Sequence, residues 1–194
     1  MWPSKIARGQ ARNFNLGTLH FAFEADKHPD THAMHMPGQS WVLGYAIPPF
    51  QRPRVWTVEQ SIKFVESCIL GLGIGSFTTN NTEHEPTEII DGIECFHFAD
   101  RWLIDGQQRL SALKDYWSDL WPVFGLTWGQ VDELTKRRFL NSTPFDSFEL
   151  NITDEAILRD YYDRLNFGGT PHRPEERAAL EGDDDAVPTG LGMR

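Results

Sequence analysis

"RWLIDGQQRLSALKDYW", residues 101–117, is the stretch on which the fold turns. The apolar run "WLI" predicts a buried strand, and Leu110, Leu113 and Trp117 recur at helical spacing, so a helix follows at once. Between them stand Asp105, Gly106, Gln107, Gln108 and Arg109. A strand-to-helix turn needs one permissive residue and one cap; it has no use for two amides followed by a guanidinium.

Such a junction exposes the first N–H groups of a helix, and these, with the helix dipole, favour an anion. Gly106 lets backbone approach a ligand closely. Arg109 sits near the end of the first turn, where its forked donors suit a phosphate. Gln107 and Gln108 both donate and accept, so they can meet a sugar, a base edge or a phosphate oxygen. Asp105 repels phosphates unless it holds a divalent cation such as Mg²⁺ or takes a proton from an attacking hydroxyl, and both are roles in phosphoryl transfer. A plainer reading stands beside this one. Asp105 is then the helix N-cap, Arg109 pairs with Asp105 or Glu66, and the glutamines face solvent.

Two further clusters point the same way. "PPFQRPRVW", residues 48–56, sets Gln51, Arg52 and Arg54 on a proline-stiffened loop that Phe50 and Trp56 can anchor, giving an anion-binding arm. Its plainer reading is a surface loop with an arginine stacked on Trp56. "YDRLNFGGTP", residues 162–171, offers Arg164, Asn166, Gly168, Gly169 and Thr170 at a helix exit, where a C-cap and a turn also explain the glycines.

The rest of the chain alternates strand and helix signals without an internal repeat. "LHFAFEA" (19–25) alternates as an edge strand does. Thr57 with Gln60 has capping-box spacing ahead of a helix whose stripe is Val58, Ile62, Val65 and Ile69. "IGSFTTN" (74–80) and "FELNI" (148–152) predict strands, and Asp91-Gly92 predicts a hairpin turn. Thr127 with Gln130 repeats the capping-box spacing ahead of a helix "WGQVDELTKRRFLN" (128–141). Thr153 caps a last long helix with Ile157, Leu158, Tyr161, Tyr162 and Leu165 on its buried side. The class is α+β.

With 194 residues the chain suits one core. We expect a single domain over 1–180, with 1–40 an irregular N-terminal extension and 181–194 an acidic flexible tail. The two cysteines, Cys68 and Cys95, make no disulfide framework, and no leader or membrane-spanning stretch is evident, so a soluble cytoplasmic protein is expected. Each cysteine is expected to be packed rather than nucleophilic. A net charge of −10 excludes gripping nucleic acid by bulk positive charge. A local basic face remains, and Arg54, Lys136, Arg137 and Arg138 are the candidates for contact with DNA phosphates. For the last three the alternative is the solvated basic end of a helix. His28, His32 and His35 have spacings that suit a metal, but in a polar loop without a supporting carboxylate.

In this order, "IPPFQRPRVWTVEQ", "FVESCILGLGIGSF", "WLIDGQQRLSAL" and "YYDRLNFGGTP" resemble the family of unknown-function domain 262 (DUF262), whose N-terminal region has the ParB/sulfiredoxin-like fold. The resemblance covers most of residues 45–171. It implies a domain of modification-dependent restriction and phage-defence systems that binds and hydrolyses nucleoside triphosphates and couples this to DNA recognition or nicking. The wider fold also holds CTP-binding proteins and kinases of small hydroxyl substrates. Carried over, it makes Asp105, Gln107, Gln108 and Arg109 the catalytic run. Gln51 and Arg52 become a nucleotide-contacting loop, and Asn166, Gly168 and Gly169 a second wall. Arg54, Phe167 and His172 depart from the family pattern. Restriction-type members continue into a second, often nuclease, domain, so this chain is expected to act on its own substrate or with a separate protein partner.

The leading expectation is a phosphotransferase using ATP or another NTP with Mg²⁺, in which Arg52 and Arg109 neutralise the moving phosphoryl group. Its acceptor would be DNA, for example a hydroxymethylated base in a phage-type modification pathway. The alternatives are an NTP-hydrolysing or nicking subunit of a restriction or anti-defence system, and a non-catalytic nucleotide-dependent DNA-binding module.

Overall fold

The computed structural model describes residues 7, 9–27, 40–82, 88–90, 93–95 and 100–167. Their elements are β1 (Gln10–Arg12), α1 (Leu16–Ala25), β2 (Trp41–Val42), β3 (Tyr45–Ala46), α2 (Val58–Ile69), β4 (Phe77–Asn80), β5 (Glu88–Ile90) and β6 (Ile93–Cys95). After these come β7 (Trp102–Asp105), α3 (Gln107–Trp117), a 3₁₀ turn (Trp128–Gln130), α4 (Glu133–Ser142), β8 (Ser147–Leu150) and α5 (Glu155–Phe167).

Six strands form one mixed sheet in the order β1-β8-β4-β7-β3-β2. β7 runs antiparallel to β4 and parallel to β3, while β4 runs parallel to β8. As an interior strand β7 is apolar on both faces. Leu103 packs into one cluster with Leu19, Val65, Phe77, Leu113 and Phe145, and its neighbours Trp102 and Ile104 pack into another with Leu150, Leu158 and Tyr162. Period-two alternation in four residues thus supports both layers, with α3 in the first cluster and α5 in the second. The class is α+β, as the sequence predicts.

Several local expectations meet their physics. Thr57 and Gln60 form the full capping box of α2, with Gln60 N donating to Thr57 Oγ1 at 3.3 Å and Thr57 N to Gln60 Oε1 at 2.9 Å. The strands on either side of Asp91-Gly92 pair as a hairpin; the turn residues lie outside the described residues. Also outside them are His28, His32 and His35, and the segment 168–194 with its glycines and tail.

Other expectations are corrected. "LHFAFEA" is helical, not an edge strand. Asn15 caps α1 by accepting from Thr18 N at 3.1 Å, and Leu16, Leu19 and Phe23 are buried at helical spacing while Phe21 faces out. Residues 10–25 are therefore not irregular, since β1 pairs with β8 at the sheet edge and α1 joins the core. The α2 stripe is rotated from that predicted. Val65 is buried and Ile62 packs on the core as expected, but Val58 and Ile69 are exposed and Ser61 and Cys68 are buried in their stead, because the packed face follows α3.

Thr127–Gln130 closes a capping box on a single 3₁₀ turn. Val131 is extended, and Asp132 then caps α4 by accepting from Thr135 N at 3.0 Å, so the predicted single helix is two elements. In α5 the cap is Asp154, which accepts from Ala156 N and Ile157 N; Leu158 and Tyr162 are buried, but Ile157 and Leu165 are not. Among the described residues no helix is long and apolar enough to cross a membrane.

Candidate functional site

At the end of β7 the chain must leave the sheet and enter α3 within one residue. Gly106 does so at φ 105°, and a Cβ there would fall 2.6 Å from Phe77 Cβ, so only glycine fits. Gly106 is the N-cap and no side chain caps the helix. Asp105 is therefore not the N-cap that the plainer reading expects, and the start of α3 stays open to an anion.

Asp105 turns to Arg109 instead. Arg109 Nη2 donates to Asp105 Oδ2 at 2.6 Å, one turn along the helix. The guanidinium also lies over the Phe145 ring, 5.9 Å from its centre, and its Nη1 would touch a Cβ at Gly75, where φ is +75°. A carboxylate, an aromatic face and a bare glycine together hold this cation in place. Gly75 thus helps to place a site residue, which the reading of "IGSFTTN" (74–80) as a strand did not foresee; its signal is the glycine-rich run "GLGIGS", residues 71–76.

The arm at residues 48–57 approaches from the other side. Phe50 packs edge-on against Trp102 and Tyr162, and Arg159 lies over its ring. Arg52 N donates to the Tyr162 hydroxyl at 3.3 Å. Gln108, nearly buried at 9 % exposure, accepts from Val55 N at 3.0 Å and Trp56 N at 3.1 Å. Its plainer reading as a solvated amide is overturned. Arg54 does not stack on Trp56; it holds Asp115 of α3 through contacts of 3.3 and 2.6 Å.

These elements enclose a cavity of about 200 Å³. Gln51, Arg52 and Trp56 line it from the arm, Asp105, Gly106, Gln107, Gln108 and Arg109 from the β7–α3 junction, and Tyr162 and Asn166 from α5. The three sequence clusters therefore converge. Asn166 Nδ2 donates to Tyr162 O at 2.9 Å, which fixes that wall. Gln51 Oε1 and Gln107 Oε1 are buried without a hydrogen-bond partner, a condition that folded proteins rarely leave unmet. The volume falls below the ~300–1,000 Å³ of pockets that engulf a whole small molecule. It suits a phosphate chain whose remainder extends outward.

Residues assigned elsewhere do not join this cavity. Arg54 is paired as described, and Arg164 pairs with Asp160 at 2.9 Å on the exposed side of α5. Lys136 pairs with Glu133 at 2.8 Å and lies over Trp128, while Arg138 lines a separate, mostly apolar cleft. Gly168, Gly169 and Thr170 lie outside the described residues. Cys68 is buried, which pushes its thiol up to about 12, so it packs rather than reacts.

Two guanidiniums, four side-chain amides and an uncapped helix start fit the phosphate end of a nucleotide. The set does not fit a resident Mg²⁺. Among the described residues Asp105 is the only carboxylate in the lining and is tied to Arg109, and no three His, Cys, Asp or Glu side chains gather there as a metal site.

The fold and cavity define an α+β domain with a polar, arginine-bearing cleft at a strand-to-helix junction. The family described as the N-terminal domain of the GmrSD restriction endonuclease matches residues 37–165, and the chain belongs to this family, the DUF262 domain. No curated protein and no solved structure matches the chain.

Proposed function

We propose that the chain is a nucleoside-triphosphate-hydrolysing domain of a modification-dependent restriction system, acting on or beside DNA. The observation that carries this is the convergence of Arg52, Arg109, Gln107 and Asp105 on one cavity at an uncapped helix start. Membership of a restriction-endonuclease family favours this reading over a kinase of hydroxymethylated DNA.

In the proposed reaction the phosphates enter over the start of α3, and Arg52 and Arg109 take up their charge. A phosphate that recruits Arg109 loosens the Asp105 pair and leaves the carboxylate able to accept a proton. Water attacks the terminal phosphorus, its proton passes to Asp105, and the bond to the bridging oxygen breaks. Inorganic phosphate and the diphosphate leave. Magnesium would arrive on the phosphates and offset part of their charge.

The test incubates the protein with each NTP, Mg²⁺ and plain or hydroxymethylated plasmid DNA. Release of phosphate with intact nucleosides, abolished by Asp105→Asn, is expected. A mass gain of one phosphoryl unit on a nucleoside would establish transfer to DNA instead. Binding without turnover would leave a nucleotide-dependent DNA-binding module.

A further inference from the structure

The two adjacent glutamines of the DGQQR run face different tasks. Gln108 Oε1 accepts two backbone N–H groups, those of Val55 and Trp56, at 3.0 and 3.1 Å. Two donors on one side settle the amide's orientation, because its nitrogen facing them would leave donors opposed to donors. The remaining polar atom of Gln108, Nε2, is then what this residue has left for the cavity that it lines.

We infer that Gln108 is a bifunctional coupling residue: its Oε1 latches the arginine-bearing arm while its Nε2 donates to an anionic oxygen of the bound phosphate chain. This deepens the nucleotide reading and rests on it. One planar amide spans ligand and arm, so occupancy of the cavity and the placement of Arg52 are linked through a rigid group. Gln107, one residue earlier, has no such fixed orientation, because its buried Oε1 lacks a partner.

The inference separates two functions that a merely structural glutamine would not. Gln108→Glu keeps an acceptor for Val55 N and Trp56 N but replaces the donor with negative charge. Gln108→Met removes both. Hydrogen exchange at Val55 and Trp56 reports the latch, and calorimetric titration with inorganic triphosphate reports the anion site, each with the full chain.

We expect Gln108→Glu to retain slow exchange at both amides and to lose triphosphate affinity by about tenfold or more, the scale of one charge-assisted hydrogen bond. Gln108→Met should lose both. Wild-type affinity in Gln108→Glu would overturn the inference, as would fast exchange in Gln108→Glu matching that of Gln108→Met. If the wild-type protein itself fails to bind triphosphate, the nucleotide reading falls and takes this inference with it. Triphosphate binding that is indifferent to Gln108→Glu would sink the inference alone.

Discussion

An alanine at Gly75 would place its Cβ 2.8 Å from Nη1 of Arg109, so the bare backbone of one residue sets the position of the other's guanidinium. Gly71 provides a matched control. Its φ of +71° equals the +75° of Gly75 within a few degrees, yet nothing lies within 4 Å of a Cβ built there. Each alanine substitution should cost about 1–2 kcal/mol of stability from left-handed strain, read by urea denaturation. Only Gly75→Ala should also weaken triphosphate binding, because the flexible arginine yields by leaving its place between Asp105 and Phe145. Equal affinity in the two variants would remove Gly75 from the site.

The pair of Arg54 with Asp115 predicts equivalence where a DNA contact predicts opposition. Arg54 is 41 % exposed and Asp115 18 %, so the pair is worth no more than about 1 kcal/mol. As a clamp on the arm, Arg54→Ala and Asp115→Ala should loosen hydrogen exchange over residues 51–56 alike, with a small coupling energy in the double-mutant cycle. A direct contact between Arg54 and DNA phosphate would separate them. Removing Arg54 would then lower DNA affinity and its salt slope, whereas removing Asp115 would raise affinity.

The cleft was legible in the sequence because charged and amide side chains stood where a turn and a cap would suffice. Asp105, Arg109 and Arg52 come together because the arm and α3 meet. Capping boxes were legible too, since they are satisfied within four residues. What failed depended on distant partners. "LHFAFEA" alternates as a strand would, but Asn15 and the buried Leu16, Leu19 and Phe23 make it a helix, which the core selects and the local pattern obscures. The α2 stripe turned because α3 chose the face. The latch of Gln108 to Val55 and Trp56 was not foreseen either, because it spans more than fifty positions and leaves no local mark.

Asn80 holds the second core cluster together by imitating a strand partner. It is fully buried; its Nδ2 donates to Ile152 O at 3.0 Å and its Oδ1 accepts from Ile152 N at 2.9 Å. Asn80→Ala leaves both backbone groups of Ile152 buried and unpaired and should cost about 2–4 kcal/mol in urea denaturation. Asn80→Asp keeps the acceptor but sets a carboxylate against a carbonyl, so its cost should be at least as large at neutral pH and should ease as the pH falls and the side chain gains a proton. Loss below 1 kcal/mol in the alanine variant would show that Ile152 finds other partners.

His20 makes the stability depend on pH in a stated direction. Its ring packs against Phe23, Trp117 and Trp128, and burial lowers its pKa from the ordinary 6.5, partly opposed by Glu24 and supported by Lys27 and Lys136. A histidine lowered in the folded state takes up its proton more readily when unfolded. Its contribution is therefore complete above pH 6.5 and is lost as the pH falls from there through the folded value. Urea midpoints of the wild type should drop between pH 7.5 and 5 by more than those of His20→Phe, which keeps the aromatic packing and cannot titrate. Parallel declines in the two proteins would assign the acid sensitivity to other groups.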